Sequence, residues 1–151
     1  MDYLSIYVYP KQSHDAYVEY TIYNINYMKE EILNKTTLTL NQHKGGFIFI
    51  LENEEELKKN KLIRIKLNKE YSKRIHLEFA GYKERPIFEE DIRNPVYSDE
   101  VKLESITKDE DYNTYEYLLE HPTIIEQKYL LFGFLLDESV DFVSFYVGPE
   151  S

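Results

Sequence analysis

The chain has 151 residues, a net charge of −10, fifteen tyrosines and no cysteine. Its length suits a single domain over residues 1–151, and the lack of cysteine excludes disulfides and thiolate metal sites. The negative charge argues against a general nucleic-acid binder, which needs clustered lysine and arginine, whereas the tyrosine content favours strands.

The N-terminal part predicts two strands. Leu4, Ile6 and Val8 alternate with polar and tyrosine residues, and a second alternating run covers residues 17–27. This period of two residues is typical of a strand with one buried face. The first residues, MDYLSI, show no basic region followed by a long apolar stretch, so we expect no signal peptide. Residues 28–33 predict one short helical turn.

Two predicted hairpins follow along the chain. Residues 37–40 and 47–51 flank a loop with paired glycines, which tolerate the positive φ that tight hairpin loops require. Apolar residues then alternate with charged ones over 63–67 and again over 75–79. This pattern predicts an antiparallel pair with one dry face and one wet face.

The C-terminal half predicts four more strands after an irregular polar stretch; they cover residues 101–106, 114–119, 129–136 and 140–147. The last two are apolar on both faces, so we expect them to lie centrally. The longest apolar run, 129–136, is well short of the roughly 18 residues of a membrane helix. We therefore predict a cytoplasmic protein without a membrane span.

Short strands with no long helical pattern between them indicate an all-β, mainly antiparallel fold. We predict a β-sandwich or a jelly-roll-like arrangement, with about eight to nine strands and at most one short helix.

Basic residues concentrate in one window of the chain. On the second predicted pair, Arg64 and Lys66 would share the wet face with Arg74 and His76, which is too many like charges for cross-strand pairing alone. These four residues are a candidate patch for an anionic ligand or partner. The alternative is that acids of the C-terminal half neutralise them, or that the lysines protect a sheet edge.

Tyrosines form a second candidate surface. Tyr3 and Tyr7 lie opposite the apolar positions of the first strand, and Tyr17 and Tyr23 do so on the second. Exposed tyrosines give a large contact area and a hydroxyl group, which suits recognition of proteins or sugars. The alternative is that this face belongs to the core, with the hydroxyls at its rim.

One acidic segment resembles the spacing of a calcium-binding loop. Asp109, Asp111, Asn113 and Glu120 match four of its ligand positions, but Thr114 replaces the turn glycine. The flanking segments also predict strands instead of helices. An acidic turn is therefore the simpler interpretation, so we expect no cofactor, with calcium as the alternative.

The function predicted from these patterns is non-enzymatic. The sequence holds no nucleophile elbow, phosphate loop or paired metal-binding histidines. We predict a protein-binding module or inhibitor whose acidic, tyrosine-rich surface meets a basic protein partner. A carbohydrate-binding or adhesive β-sandwich is the first alternative, and a structural, virion-type assembly component is the second.

Overall fold

The computed structural model describes residues 3–8, 18–23, 45–52, 61–86, 89–120, 127–138, 140 and 142–149. Within these ranges lie nine strands and one short helix: β1 Tyr3–Val8, β2 Val18–Tyr23, β3 Gly45–Glu52, β4 Lys61–Asn68, β5 Leu77–Tyr82, α1 Glu89–Ile92, β6 Tyr97–Lys108, β7 Tyr112–Leu119, β8 Tyr129–Leu136 and β9 Phe142–Pro149. The all-β class is thereby confirmed.

The strands form one sheet in the order β1-β3-β8-β5-β6-β7-β4-β9-β2. β1 and β3 pair in parallel, and the other paired strands run antiparallel. The seven strands from β3 to β9 curve into a half-barrel. The mainly antiparallel character is therefore confirmed, whereas the separation into the two sheets of a sandwich is not.

Strand β6 joins the two halves of this sheet. Residues 97–101 pair with β5, and residues 102–108 pair with β7. The register shifts between Leu103 and Ser105, as in a β-bulge, which bends a strand and increases its twist. We call β3, β8 and β5 the first half of the sheet, and β7, β4 and β9 the second half.

The core fills the concave side of the half-barrel. Phe49 of β3 stacks on Phe145 of β9 with ring centroids 4.2 Å apart, although five strands lie between β3 and β9 in the sheet order. Phe132 and Phe134 of β8 also lie near Phe145, at 5.7 and 6.4 Å. These aromatic contacts close the two halves over a common interior and supply much of its apolar burial.

The predicted pairing of the strands over 63–67 and 75–79 is wrong. β4 lies between β7 and β9, β5 lies between β8 and β6, and two strands separate them. The faces were predicted correctly for β4, because Ile63, Ile65 and Leu67 are fully buried while Arg64 is exposed. Alternation identifies the buried face of a strand but carries no information about its neighbour.

Side chains of β7 hold the connection between β4 and β5. Three residues on the inner face of β7 donate hydrogen bonds to backbone carbonyls of residues 69–76, which we call the β4–β5 connection. The bonds are Asn113 Nδ2 to Tyr71 O at 2.6 Å, Tyr115 Oη to Lys73 O at 2.7 Å and Tyr117 Oη to Ile75 O at 2.8 Å. Both partners advance by two residues per bond, so the connection follows β7 in an extended conformation.

The remaining sequence expectations have mixed outcomes. β8 and β9 are not edge strands, but they lie in different halves of the sheet, and β9 is second from one end of the sheet order, so the predicted central position does not hold for β9. Both edges of β3 are occupied, by β1 and β8. The strand predicted over residues 37–40 and the helical turn predicted over 28–33 lie outside the described residues.

Lys61 is a charged residue on the buried face of β4. Its exposed fraction is 0%, and it pairs in register with Leu119 and Pro149. Burial lowers the pKa of its ammonium group to about 7, because a low-dielectric interior disfavours the charged form. Stability should therefore depend on pH in a range where few other groups titrate.

We expect Tyr117→Phe to lower the free energy of unfolding by about 1–3 kcal/mol, because it leaves the buried carbonyl of Ile75 without its donor. Tyr129→Phe is the matched control, since the Tyr129 hydroxyl makes no hydrogen bond in the described part of the chain. Urea titration measures both variants. Equal stability of the two would contradict a structural role for the Tyr117 hydrogen bond.

We expect the free energy of unfolding to rise between pH 7 and pH 9.5, by at most about 1.4 kcal/mol per pH unit. In this range the unfolded chain keeps the Lys61 proton, whose ordinary pKa is 10.5, while the folded protein releases it at about pH 7. Burial raises the pKa of Tyr82 to about 12, so above pH 10 tyrosine ionisation in the unfolded chain should lower stability again.

The variant Lys61→Met tests this assignment. It cannot bind the proton in either state, so urea titrations across the same pH range should lose the rise seen in the wild type. A rise that persists unchanged in Lys61→Met would assign the pH dependence to another group.

Candidate functional site

A groove of about 580 Å³ lies on the outer face of the first half of the sheet. Its floor follows two cross-strand rows. One row contains Leu131 of β8 and Ala80 of β5, and the other runs from Ile48 of β3 through Gly133 of β8 to Glu78 at the rim. Most of the floor is therefore apolar, although this side of the sheet faces away from the main core.

One end of the groove is closed by the segment that follows β5. Ile92 of α1 packs against a small buried cluster that includes Tyr82. The Tyr82 hydroxyl donates a 2.7 Å hydrogen bond to the Ile92 carbonyl, and Val96 N donates to Gly81 O at 2.8 Å. Because the pKa of Tyr82 is about 12, its hydroxyl stays protonated and remains a donor at neutral pH.

The opposite end of the groove is open. Leu135 of β8 lines it and has an exposed fraction of 50%, one of the highest among the large apolar side chains described. Gly133 adds no side chain to the floor, so a depression remains between its neighbours. A Cβ atom built there would lie 3.7 Å from Leu131 and 4.0 Å from Ile48, which is ordinary contact distance.

Charged side chains form the rim at the open end. His76 Nδ1 lies 2.8 Å from Glu100 Oε1, and Asp137 lies 3.8 Å from the Lys73 ammonium group. Arg74 and Glu78 also line the groove and are exposed. Neither of these two makes an ion pair or a hydrogen bond in the described part of the chain. Among the described residues, the rim therefore offers the cation of Arg74 and the anion of Glu78 to a ligand.

The structure separates the four residues of the predicted basic patch. Arg74 and His76 line the groove, whereas Arg64 and Lys66 lie on the outer face of β4, in the second half of the sheet. Arg64 forms a 3.0 Å ion pair with Glu116. The single wet face that was to unite the four residues does not form, because β4 and β5 are not neighbours.

The outer face of the second half pairs its own polar groups. The Arg64 guanidinium also lies 4.9 Å from the centroid of the Tyr146 ring, and Lys66 Nζ lies 4.5 Å from that of Tyr112. Ser105 Oγ donates to Glu116 at 3.4 Å. Both cations are thus engaged by groups of the same sheet.

Of the second predicted surface, the described tyrosines Tyr3, Tyr7 and Tyr23 lie on two strands at opposite ends of the sheet order. β1 places Tyr3 opposite Gly46 and Tyr7 opposite Ile50, while β2 places Tyr23 opposite Phe142. Tyr17 lies outside the described residues. Tyr3 and Tyr7 are therefore at register positions beside the groove strand β3, and the shared tyrosine surface stays a prediction.

The predicted calcium ligands Asp109, Asp111 and Asn113 do not converge. Asp109 Oδ1 accepts hydrogen bonds from the backbone N–H groups of Tyr112 and Asp111 at 2.6 and 2.8 Å, and these bonds lower the pKa of its carboxyl. Asn113 lies on the buried inner face, where it donates to the Tyr71 carbonyl. Among the described residues no group of three or more His, Asp or Glu is placed to hold a metal ion.

Sequence reasoning missed the groove itself. Its signal is present in residues 129–136, which are apolar on both faces, but that pattern predicts a central strand and does not indicate that one face stays accessible. The outer face of β8 is instead only partly covered, with Leu131 buried and Leu135 half-exposed.

Comparison with known proteins does not assign the chain to a family. No protein-family model matches the chain, and no match is found among the curated proteins. In the part of the chain that is described, no helix has the length and apolar character needed to cross a membrane.

We expect Gly133→Ala to raise the free energy of unfolding by about 0.4–1 kcal/mol. The added methyl group meets its neighbours at contact distance, and alanine reduces the freedom of the unfolded chain. Thermal and urea unfolding against the wild type measure the change. A clear loss of stability would show that the floor at Gly133 has no room for a side chain.

Proposed function

We propose that the protein is a non-enzymatic protein-binding module or inhibitor and that the groove is its recognition surface. The observation that carries this proposal is an apolar depression on the outer face of a sheet, with Leu135 half-exposed inside it. An exposed apolar cavity with a polar rim is a common feature of binding surfaces.

The contrast between the two halves of the sheet supports this choice. The outer face of the second half carries Arg64, which contacts both Glu116 and Tyr146. The outer face of the first half has an apolar floor and unpaired rim charges within the described residues. A partner that covered the first half would therefore remove more apolar surface from water than one that covered the second half.

The size of the groove fits a small part of a partner protein. A volume of about 580 Å³ accommodates a few side chains of a loop or extended segment. Each large apolar side chain transferred from water contributes about 1.5–3 kcal/mol before the costs of association. The net charge of −10 additionally favours fast encounter with a basic protein.

Affinity capture with wild-type protein and groove variants tests this function. We expect Gly133→Val, which fills the floor, and Leu135→Ser, which removes an apolar contact, to lose a partner that the wild type retains from a lysate of the native host. Retention should persist at high salt, because apolar contacts are not screened.

Ile106→Ser is the matched control, since Ile106 is a half-exposed apolar residue on β6 that does not line the groove. It should retain the same partner as the wild type, and the melting temperatures of all variants should show that they are folded. If both groove variants capture the same proteins as the wild type, the groove is not the recognition surface.

A further inference from the structure

We infer that the segment bound in the groove carries a large apolar side chain for the closed end, a basic residue next to it and an acidic residue farther away. This inference rests on the proposed function and specifies the chemistry of its partner. It follows from the positions of Arg74 and Glu78 relative to the apolar floor.

The order of features along the groove follows from the strand register. β5 runs from the open end to the closed end, because Glu78 pairs with Gly133, Ala80 pairs with Leu131 and Tyr82 lies at the closed end. Arg74 precedes the strand and lies beyond Glu78 on the open side. A segment along the groove therefore meets Arg74 first, Glu78 second and the apolar closed end last.

The charges of Arg74 and Glu78 are available to a partner. Other charged groups of the rim are engaged within the protein, as His76 is with Glu100 and Asp137 is with Lys73. Arg93 also has an interaction inside the protein. Arg74 and Glu78 have neither an ion pair nor a hydrogen bond among the described residues.

The spacing of these two charges limits the spacing in the partner. Arg74 and Glu78 are four residues apart, and four residues of extended chain span at most about 14 Å. In a partner segment that is also extended, the acidic and basic residues therefore lie within about four residues of each other. Exposed charge pairs contribute little affinity individually, but they select the orientation of a bound segment and reject the reversed order.

Selection of short random peptides displayed on phage tests the inference. The proteins to compare are the wild type, the charge swap Arg74→Glu/Glu78→Arg and the filled variant Gly133→Val. The swap keeps the net charge of the protein, so a change in the selected peptides reports the positions of the charges. Matching melting temperatures confirm that the swapped protein is folded.

We expect the wild type to enrich peptides with a basic residue beside a large apolar residue and an acidic residue farther away. The swapped protein should enrich the reversed order of charges. Two synthetic peptides, one with each order of charges, should be compared on the wild type and on the swapped protein. The ratio of their dissociation constants should differ by about fivefold or more between these two proteins. Arg74→Gln should no longer enrich an acidic residue in the peptides while it still enriches the basic one. Glu78→Gln should no longer enrich the basic residue while it still enriches the acidic one.

Two results would overturn the inference in distinguishable ways. Peptides that share an apolar residue but no order of charges would reject the roles of Arg74 and Glu78 while leaving the groove as the binding surface. Peptides enriched equally by the wild type and by Gly133→Val would reject the groove itself, and with it the proposed function.

Discussion

The β4–β5 connection carries backbone carbonyls that lie against the interior and need hydrogen-bond donors there. Asn113, Tyr115 and Tyr117 of β7 supply these donors at spacings that match the extended connection. A buried carbonyl without a donor would cost free energy comparable to a lost hydrogen bond. The alternation of polar donors on the inner face of β7 therefore decides where the chain goes after β4.

The course of the β4–β5 connection determines how the strands are arranged in both halves of the sheet. Because the connection follows β7, β5 begins in the first half of the sheet and pairs with β6 and β8. The bent strand β6 then links the halves, and Phe49 meets Phe145 across the interior. The groove is a consequence of the same arrangement, since it brings the outer faces of β3, β8 and β5 together and leaves them partly uncovered.

The sequence predicted strands and buried faces better than it predicted neighbours. The inward positions of β4, such as Ile63 and Ile65, follow directly from alternation. The same alternation suggested a hairpin that does not exist, because the donors of the β4–β5 connection lie about 42 residues farther along the chain. The four residues of the predicted basic patch are divided for this reason, since a common face required β4 beside β5, and binding by any of them stays a prediction. The groove was not predicted because an apolar face that stays exposed and an apolar face that is buried have the same sequence pattern.

By itself, the sequence determined the all-β class, the lack of disulfides and the side of several strands that faces the interior. These properties depend on residue type and on a period of two residues, both of which are local. The tertiary structure alone decided which strands are neighbours, which charges are neutralised and which apolar side chains stay exposed. Arg64 and Arg74 illustrate the difference: they are chemically identical, but Arg64 has Glu116 beside it, whereas Arg74 lies at the rim of the groove without an ion pair among the described residues. Long-range pairing creates that distinction, and no local pattern encodes it.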